Sequence, residues 1–335
     1  MGGDGNSLLK VRALALLSGG LDSVLAVKVI EEQGIDVTAM TFETPFFSAN
    51  RGRKSAEQLG IPIIVIDITD DYLPMLRNPR YGYGRNMNPC IDCHGLMLKK
   101  SGNVMRERGF DFIVTGEVLG QRPMSQNRQA LHVVAKLSGC EEHIVRPLSA
   151  QLLPETIPEK EGKVVRMRLL DIQGRGRKRQ MELADRYAIS EYSTPAGGCQ
   201  LTDPAFSKRL RDLLDHQDQP PSRRDFELLK QGRHLRLSEK VKIIVGRNRL
   251  DNGVIEQLAV ETDMMCKVRD YPGPTVLIPG GCDEKTLVKA AGICIRYSDA
   301  PKDKNVAVSS AMEIPIRILD VEAADRSETD NLVIV

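Results

Sequence analysis

The chain opens with an abrupt change in its hydrophobic period. Residues 11–17 form an almost continuous apolar run, which is typical of a fully buried strand. A Ser-Gly-Gly turn follows at 18–20, and apolar residues then recur with helical spacing up to Ile30. The pattern therefore predicts a strand, a tight turn and a helix at the start of the chain.

Strand and helix patterns then alternate at short intervals. The sequence predicts strands at 36–42, 61–66 and 110–115 and helices at 51–59 and 90–108. This alternation is typical of an α/β domain with a mainly parallel sheet and helices on both faces. Ligands of such sheets bind at the carboxyl ends of the strands. We therefore expect residues 18–23, 42–44 and the stretch after residue 66 to meet there.

The boundary of this domain is predicted from composition. A basic run at 174–180 opens a predicted helix, and another helix is predicted at 203–214. The stretch at 215–222 contains Gln-Asp-Gln-Pro-Pro, which is typical of a linker. We predict a first domain at 1–215, a linker at 216–222 and a second domain at 223–335.

The second domain is predicted to be a smaller α+β unit. Strand patterns occur at 241–245, 264–268 and 275–278, and a helical pattern covers 283–291. The last 23 residues carry six acidic and two basic residues, so we expect partial disorder or a polar final strand. Residues 144–161 contain three prolines and are expected to have little regular structure.

Composition and charge narrow the class of protein. The chain has 335 residues, 41% of them hydrophobic, and a net charge of +2, which fits a soluble globular protein without an overall nucleic-acid signal. No apolar run approaches the roughly 20 residues of a membrane span. The N-terminus lacks a basic region followed by an apolar stretch, so we expect a cytoplasmic protein without a membrane partner. Its seven cysteines then favour ligands, catalytic groups or core residues over disulfides.

Positive charge is concentrated locally. Residues 222–250 carry nine Lys and Arg against three Asp and Glu. We expect this segment to bind RNA phosphates through Arg233, Arg236, Arg247 and Arg249. The first domain has a second set of candidate phosphate contacts, which are Arg122, Arg128, Arg175, Arg177, Lys178 and Arg179. A solvated charged face remains the alternative for that set.

The Ser-Gly-Gly-Leu-Asp-Ser stretch at 18–23 carries the first chemical signal. Its glycines allow a tight turn and close approach of backbone N–H groups to an anion, and the following helix N-terminus adds a positive dipole end. Asp22 would repel a bare phosphate but can hold a Mg²⁺ that bridges phosphate oxygens. The stretch lacks the Gly-Lys-Ser/Thr of an ordinary P-loop. The alternative is a strand–turn–helix corner without a ligand.

Three cysteines carry the second signal. Cys90 and Cys93 form a Cys-x-x-Cys at a predicted helix start, where the dipole and nearby arginines can lower a thiol pKa. Cys199 follows two glycines. Three cysteines are one ligand short of a structural zinc site, whereas an iron–sulfur cluster with one open iron needs three. A redox pair, incidental cysteines and a zinc site completed by His94 remain alternatives.

Taken together, these motifs resemble the tRNA thiolation enzymes of the PP-loop ATP pyrophosphatase superfamily, over roughly residues 10–215. The resemblance is to tRNA 4-thiouridine synthases and, through the Asn-Pro-Cys segment, to tRNA 2-thiouridylases. It rests on Ser-Gly-Gly-Leu-Asp-Ser at 18–23, Asn-Pro-Cys-Ile-Asp-Cys at 88–93, Thr-Gly-Glu at 115–117, Gly120-Gln121, Ser125-Gln126 and Gly-Gly-Cys at 197–199.

The resemblance implies a fold, a site and cofactors. The fold is that of the adenine nucleotide alpha hydrolases, and the cofactors are ATP, Mg²⁺ and, as in some members, a 4Fe–4S cluster on Cys90, Cys93 and Cys199. The three cysteines and Asp22 are the implied catalytic residues. The implied nucleotide-binding residues are Ser18, Gly19, Gly20, Asp22, Ser23, Thr41, Phe42, Gly116 and Gln121.

The implied activity is an ATP-dependent tRNA sulfurtransferase. It adenylates a uridine carbonyl and replaces the oxygen with sulfur taken from sulfide or a sulfur-carrier protein. Without a cluster, Cys199 or Cys93 would carry a persulfide. The second domain resembles the RNA-binding NFACT-R domain through residues 230–236, 245–248 and 270–274. A PP-loop amide-forming ligase and a non-enzymatic RNA-binding protein are the alternatives, and the oligomeric state stays open, a homodimer included.

Overall fold

The computed structural model describes residues 10–192, 198–217, 219–311 and 317–334. The chain divides into two compact units, residues 1–202 and 203–335. Each unit has its own sheet, and in both cases the hydrophobic core packs against that sheet.

Unit 1 is built on a five-stranded parallel sheet with β1 at its centre. The strand order is β3-β2-β1-β4-β5. The strands are β1 Arg12–Leu16, β2 Asp36–Glu43, β3 Ile63–Asp67, β4 Phe112–Val114 and β5 Ile144–Val145. Leu16 pairs with Met40 at the end of β1, and Ala15 pairs with Val114 on the other side. Strands β2 and β3 extend the sheet to one side of β1, whereas β4 and β5 extend it to the other side. The loops that follow β1 and β4 therefore diverge and leave a crevice between them.

The helices of unit 1 cover both faces of this sheet. They are α1 Leu21–Glu31, α2 Asn50–Leu59, α3 Thr69–Arg77, α4 Cys90–Arg108, α5 Arg128–Ser138, α6 Ile157–Lys160 and α7 Lys178–Arg186. Helix α1 packs against α7, and α4 packs against α5. Right-handed crossovers on the two sides of β1 place these pairs on opposite faces. Leu25, Ile30 and Phe112 are fully buried in the core that results.

Unit 2 has an antiparallel sheet of six strands in the order β11-β10-β8-β9-β7-β6. The strands are β6 Arg233–Arg236, β7 Lys242–Val245, β8 Met264–Val268, β9 Val276–Ile278, β10 Val306–Ala311 and β11 Arg317–Val321. Its helices are α8 Pro204–His216, α9 Arg223–Leu229, α10 Arg249–Leu258, α11 Glu284–Arg296 and α12 Arg326–Leu332. Helix α11 packs on the sheet and buries Leu287, Ile293 and Ile295.

The predicted fold class is confirmed: a parallel α/β domain with helices on both faces of its sheet precedes a smaller α+β domain. The contact boundary falls after Thr202, ahead of the linker expected at 216–222. Helix α8 packs with unit 2 because Asp212 pairs with Arg236 and the Arg209 Nη1 donates to the Leu229 carbonyl oxygen.

Some elements differ from the sequence-based expectation. The sequence analysis did not predict α3 or α5. Partial disorder or a single polar strand was expected over the last 23 residues, but β11 and α12 occupy most of that stretch. The acidic side chains of α12 are exposed while Thr329 is buried, which explains the polar composition of a folded segment. Across the described part of the chain, no helix combines the length and apolarity needed to cross a membrane.

Candidate functional site

Three close backbone approaches bring the strand ends of unit 1 together. A Cβ added at Gly116, after β4, would lie 2.5 Å from the Ser23 amide nitrogen. A Cβ at Gly52 would lie 2.6 Å from the Leu17 carbonyl oxygen. Gly19 has a φ of +79°, and a Cβ there would lie 2.6 Å from the Arg51 carbonyl oxygen. Since any side chain would clash at these points, glycine is required for the loops to meet.

The loop from 18 to 23 is held by its own serines. The Ser23 hydroxyl donates to the Gly20 carbonyl oxygen at 2.7 Å, and the Ser18 and Ser23 hydroxyl oxygens lie 3.4 Å apart. Gly20 is the extended residue before α1. The loop therefore leads directly into a helix N-terminus, the arrangement that suits an anion.

Asp22 lies in the first turn of α1 and is only partly paired. Its Oδ2 accepts a hydrogen bond from Gln121 Nε2 at 2.7 Å. Its Oδ1 is buried and has no hydrogen-bond partner among the described residues. A carboxylate oxygen is the ligand type that Mg²⁺ prefers, so the open Oδ1 fits the expected ion.

The basic run contributes two further residues to this site. Arg177 Nη2 lies 3.8 Å from Asp22 Oδ1. Gln180 is fully buried, and its Nε2 donates to Gln121 Oε1 at 3.2 Å. The sequence analysis gave Arg177 only as one of several candidate phosphate contacts and did not single out Gln180. No sequence signal joins these residues to Asp22, because the contact depends on how α7 packs on α1.

Thr41 and Phe42 lie at the end of β2. Both are buried, and Phe42 pairs with Ile66 of β3. A Cβ added at Gly52 would lie 2.7 Å from Thr41 Oγ1, so Thr41 faces the start of α2. The structure therefore brings Ser18, Gly19, Gly20, Asp22, Ser23, Thr41, Gly116 and Gln121 to the same edge of the sheet, with Phe42 packed in the strand.

Glu117 joins this edge to the cysteine helix. Its Oε2 accepts from Arg146 Nε at 2.8 Å and from Thr115 Oγ1 at 3.1 Å, and its Oε1 lies 3.3 Å from His94 Nδ1. Burial alone would raise the pKa of Glu117, but the Arg146 charge and the contact with His94 outweigh burial and lower this pKa to about 2. Glu117 is therefore a buried carboxylate at neutral pH. The sequence analysis did not identify Arg146 and considered His94 only as a zinc ligand.

Cys90 and Cys93 begin α4, as predicted. The Asn88 side-chain amide donates to Cys90 Sγ at 3.3 Å. Burial, then the Cys199 charge, raises the pKa of Cys93, although its interaction with the Tyr72 hydroxyl lowers it. The lowered pKa expected from the helix start is therefore wrong for Cys93, because the loss of hydration outweighs the helix dipole.

Cys199 lies beside the same group. Burial and the Cys90 charge raise its pKa to about 11. Its segment is anchored where Gln200 N donates to the Phe46 carbonyl oxygen at 3.0 Å and Asn86 Nδ2 donates to the Thr202 carbonyl oxygen at 2.7 Å. The three candidate cysteines are thus brought within electrostatic reach of one another. Gly197 of the predicted motif lies outside the described residues.

The donor set of these cysteines can be compared with the expected cluster. Within the described ranges, no group of three or more His, Cys, Asp or Glu is arranged to hold a metal ion. The neighbouring carboxylate of Asp92 is already occupied, since it accepts from the Arg80 and Tyr81 amides at 3.1 and 3.0 Å. What remains is three sulfur donors, and burial disfavours the ionisation of two of them, Cys93 and Cys199, unless a cation compensates them. That set fits an iron–sulfur group, whose ligand atoms are spread over several irons.

The remaining cysteines lie apart from this group. Cys140, Cys266 and Cys294 are buried in the two cores, and Cys282 is half-buried. Cys294 Sγ lies 3.6 Å from the carbonyl oxygens of Cys266 and Pro274. The three buried cysteines are therefore packing residues.

The four arginines expected to bind RNA in unit 2 differ in their surroundings. Arg236 donates to both oxygens of Asp212, at 3.0 and 2.6 Å, and Arg247 pairs with Asp251 at 2.7 Å. Arg233 lies over the Tyr297 ring at 5.0 Å. Arg249 is exposed at the start of α10. Two of the four are therefore already paired with carboxylates.

Two family models match the chain. Residues 9–152 match the family described as thiamine biosynthesis protein (ThiI). Residues 232–332 match the NFACT protein RNA binding domain. Each match falls within one of the two structural units.

Curated relatives match the first unit. The chain is 33% identical over 132 residues to tRNA-specific 2-thiouridylase MnmA 1 of Syntrophus aciditrophicus, covering 33% of this chain and 34% of that protein. It is 27% identical over 158 residues to MnmA of Pelobacter propionicus, covering 42% and 43%. These alignments span about a third to two fifths of the relatives' length.

A solved 4-thiouridine synthetase in complex with RNA and bound ATP is also similar, at 18% identity and a TM-score of 0.34, covering 66% of this chain and 52% of that one. With a TM-score this low, the likeness adds no argument to the family matches. The resemblance expected from the motifs is nevertheless confirmed by those matches: residues 9–152 are similar to the ThiI family, the first unit is similar to the tRNA 2-thiouridylases, and residues 232–332 are similar to the NFACT RNA-binding domain.

Proposed function

We propose that this protein is an ATP-dependent sulfurtransferase that replaces a carbonyl oxygen of a tRNA uridine with sulfur. One observation carries the proposal. The nucleotide-type loop and the three-cysteine group are joined through adjacent residues, since Gly116 packs on Ser23 and Glu117 contacts His94, which follows Cys93. A site that combines activation by ATP with sulfur ligands suits thiolation better than amide formation.

The loop residues supply the nucleotide site in this proposal. Ser18, Gly20 and Ser23 shape the turn around the phosphates, and the N-terminus of α1 faces them. Asp22 would hold Mg²⁺ through its open Oδ1, and the ion supplies neutralisation of phosphate charge when bound. Gln121 fixes the carboxylate by bonding to the other oxygen.

The reaction has two displacements. The uridine carbonyl oxygen attacks the α-phosphorus of ATP, and pyrophosphate leaves. A sulfur nucleophile then attacks the activated carbon, the carbon–oxygen bond breaks, and AMP leaves with the oxygen. Sulfide or a sulfur-carrier protein supplies the sulfur.

The cysteine group would hold a 4Fe–4S cluster through Cys90, Cys93 and Cys199. The cluster, when bound, supplies a Lewis-acidic iron with one open position. The raised pKa values of Cys93 and Cys199 support this reading over a free thiolate, because both are neutral thiols at pH 7 in the absence of a compensating charge. Asn88 orients Cys90, and Tyr72 orients Cys93.

The second unit would capture the RNA. The family matched at 232–332 is described as RNA binding, and the positive charge of 222–250 lies largely within that region. We propose tRNA as the partner, the cytoplasm as the location and no membrane association.

The experiment is a product analysis on anaerobically prepared protein. We expect tRNA, ATP, Mg²⁺ and sulfide to give AMP, pyrophosphate and a thiolated nucleoside in equal amounts, detected by mass spectrometry of digested tRNA. Asp22→Ala should give none of these products. Iron analysis should show iron lost in Cys90→Ser, Cys93→Ser and Cys199→Ser, and retained in the matched control Cys140→Ser.

Three results would redirect the proposal. Efficient AMP formation with ammonia and none with sulfide would support an amide-forming ligase. ATP binding without AMP release under any condition would support a non-enzymatic RNA-binding protein. A colourless anaerobic preparation that still thiolates tRNA with sulfide would remove the cluster and leave direct attack by sulfide; the persulfide route would require a carrier protein that already bears a persulfide as the sulfur donor.

A further inference from the structure

The basic run at 175–179 contains one arginine that differs from its neighbours. The side chain of Arg177 is 23% exposed, whereas Arg179 is 50% exposed and pairs with Asp171 at 2.6 Å. Arg175 and Lys178 are exposed as well. Arg177 is therefore the member of the run that turns into the protein.

Backbone pairing fixes the position of the segment that carries Arg177. Leu119 and Gln173 form a parallel bridge, and Gly174 N donates to the Leu119 carbonyl oxygen at 2.7 Å. The Ser149 hydroxyl joins the same two segments, since it donates to the Ile172 carbonyl oxygen at 2.6 Å and accepts from Leu119 N at 3.0 Å. The run is thereby tied to the loop after β4, which also carries Gln121.

The polar groups around Arg177 are incompletely paired. Arg177 Nη2 lies 3.8 Å from Asp22 Oδ1, which is too long for a hydrogen bond. Arg177 Nε, Asp22 Oδ1 and Gln180 Oε1 are buried and have no hydrogen-bond partner among the described residues. Buried donors and acceptors in native proteins are nearly always satisfied. Three open groups on neighbouring side chains therefore point to a polar ligand that binds between them.

We infer that Arg177 binds the phosphates of ATP, and that Asp22 holds the guanidinium near the loop until the nucleotide arrives. The inference rests on the proposed function. A guanidinium presents a rigid fork of donors that matches two phosphate oxygens, and a partly buried one is screened little by solvent. When nucleotide and metal are bound, the Asp22 carboxylate faces the cation instead of Arg177. The Arg177 guanidinium then faces phosphate instead of Asp22.

The alternative is that Arg177 only positions Asp22. The two readings predict opposite effects on metal binding by the nucleotide-free protein. If Arg177 positions Asp22, its removal weakens Mn²⁺ binding. If Arg177 instead competes with the metal for Asp22, its removal strengthens Mn²⁺ binding, because a neighbouring positive charge is lost.

The experiment compares Arg177→Ala and Arg177→Lys with the matched control Arg179→Ala. Calorimetry should show a loss of at least tenfold in affinity for an α,β-methylene ATP analogue in Arg177→Ala and a smaller loss in Arg177→Lys. Affinity for adenosine should stay within about twofold, since adenosine has no phosphate. Electron paramagnetic resonance should show tighter Mn²⁺ binding by nucleotide-free Arg177→Ala, and Arg179→Ala should match the wild type throughout.

Equal affinity of wild type and Arg177→Ala for the analogue would overturn the inference, and so would weaker Mn²⁺ binding by the variant. Failure of the proposed function looks different: wild-type protein would bind the analogue, with Arg177 contributing as expected, but would give no thiolated nucleoside.

Discussion

The polar side chains buried in the two units differ in how their open groups are arranged. Among the described residues of unit 1, Gln126, His143 and Gln200 each have one unpartnered side-chain atom, and the unpartnered atoms of Asp22, Arg177 and Gln180 form one connected set at the strand ends. In unit 2, Arg209 Nε and His234 Nδ1 are also without a partner among the described residues, but the other nitrogens of these side chains are anchored to backbone carbonyls.

The charged pairs of unit 2 are largely complete. Arg236 engages both oxygens of Asp212, and Arg224 pairs with the buried Asp263. These groups hold α8 and α9 to the sheet of their own unit. The comparison teaches that open polar groups converge at the strand ends of unit 1, and that the number of charges in a segment does not predict where such groups lie.

The largest effect is expected for Asp22→Asn. The substitution keeps the shape of the side chain and the bond to Gln121 but removes the charge that faces the open position. Pyrophosphate release should fall by about a hundredfold or more, while the free energy of unfolding changes little.

The matched control for this test is Asp171→Asn, whose carboxylate pairs with the exposed Arg179. A stopped assay for pyrophosphate and urea unfolding would measure the two quantities. Normal turnover of Asp22→Asn would remove the basis for placing the metal at this residue.

The second largest effect is expected for the buried ion pair of Glu117 with Arg146 in unit 1. Glu117→Gln leaves the buried guanidinium of Arg146 without its carboxylate, so the free energy of unfolding should fall by about 3–5 kcal/mol. The pKa of Glu117 is about 2 when folded and 4.5 when unfolded. The stabilisation is therefore fully present above pH 4.5 and is lost as the pH falls from 4.5 toward 2.

Urea unfolding of wild type and Glu117→Gln between pH 7 and pH 2.5 would measure this. The exposed Glu191, which pairs with Lys54, provides the control variant Glu191→Gln. The two proteins should differ less in their free energy of unfolding as the pH falls. If this difference stayed constant on acidification, Glu117 would not be ionised in the folded protein.

In unit 2, by contrast, the burial of one charged side chain destabilises the folded protein. The Lys242 side chain is 10% exposed, its nearest carboxylate oxygen is that of Asp212 at 3.7 Å, and partial burial lowers its pKa from 10.5 to about 8. The folded state therefore disfavours the ammonium form, and this cost is present below pH 8 and disappears as the pH rises from 8 to 10.5. Lys242→Met should raise the free energy of unfolding at pH 7 by about 1–3 kcal/mol.

Urea unfolding at pH 7 and pH 9.5 would test both parts of this prediction, with the exposed Lys240→Met as control. The gain from Lys242→Met should be smaller at pH 9.5. A loss of stability at pH 7 would show that the pairing of Lys242 with Asp212 outweighs the cost of its burial.

The sequence predicted the edge of the sheet at which the site lies, because strand ends can be placed from apolar periodicity and parallel topology. It also placed the start of α4 at Cys90 and the strand Met264–Val268 correctly. It missed α3, where Pro74 lies inside the helix and breaks the usual rule.

The contacts of Arg177 with Asp22 and of His94 with Glu117 could not be predicted. They join residues on different elements, and their formation depends on how α7 packs on α1 and how α4 packs beside β4. Apolar periodicity predicts which face of a helix is buried but not which polar side chains meet across two elements. The same limit explains why Arg236 was expected to bind RNA although it pairs with Asp212.

The smallest effect separates the arginines of unit 2. Arg249 is exposed, so Arg249→Ala should weaken tRNA binding a few-fold, reduce the slope of log affinity against log salt by about 0.9 and leave the stability unchanged. Arg236→Ala should instead lower the stability, because Asp212 loses its bidentate partner, and should leave the salt slope as it is. Fluorescence anisotropy with labelled tRNA at 50–200 mM salt, beside urea unfolding, would compare the two variants. If Arg236→Ala reduced the salt slope as Arg249→Ala does, then pairing with a carboxylate would not decide which arginines of unit 2 contribute to RNA binding.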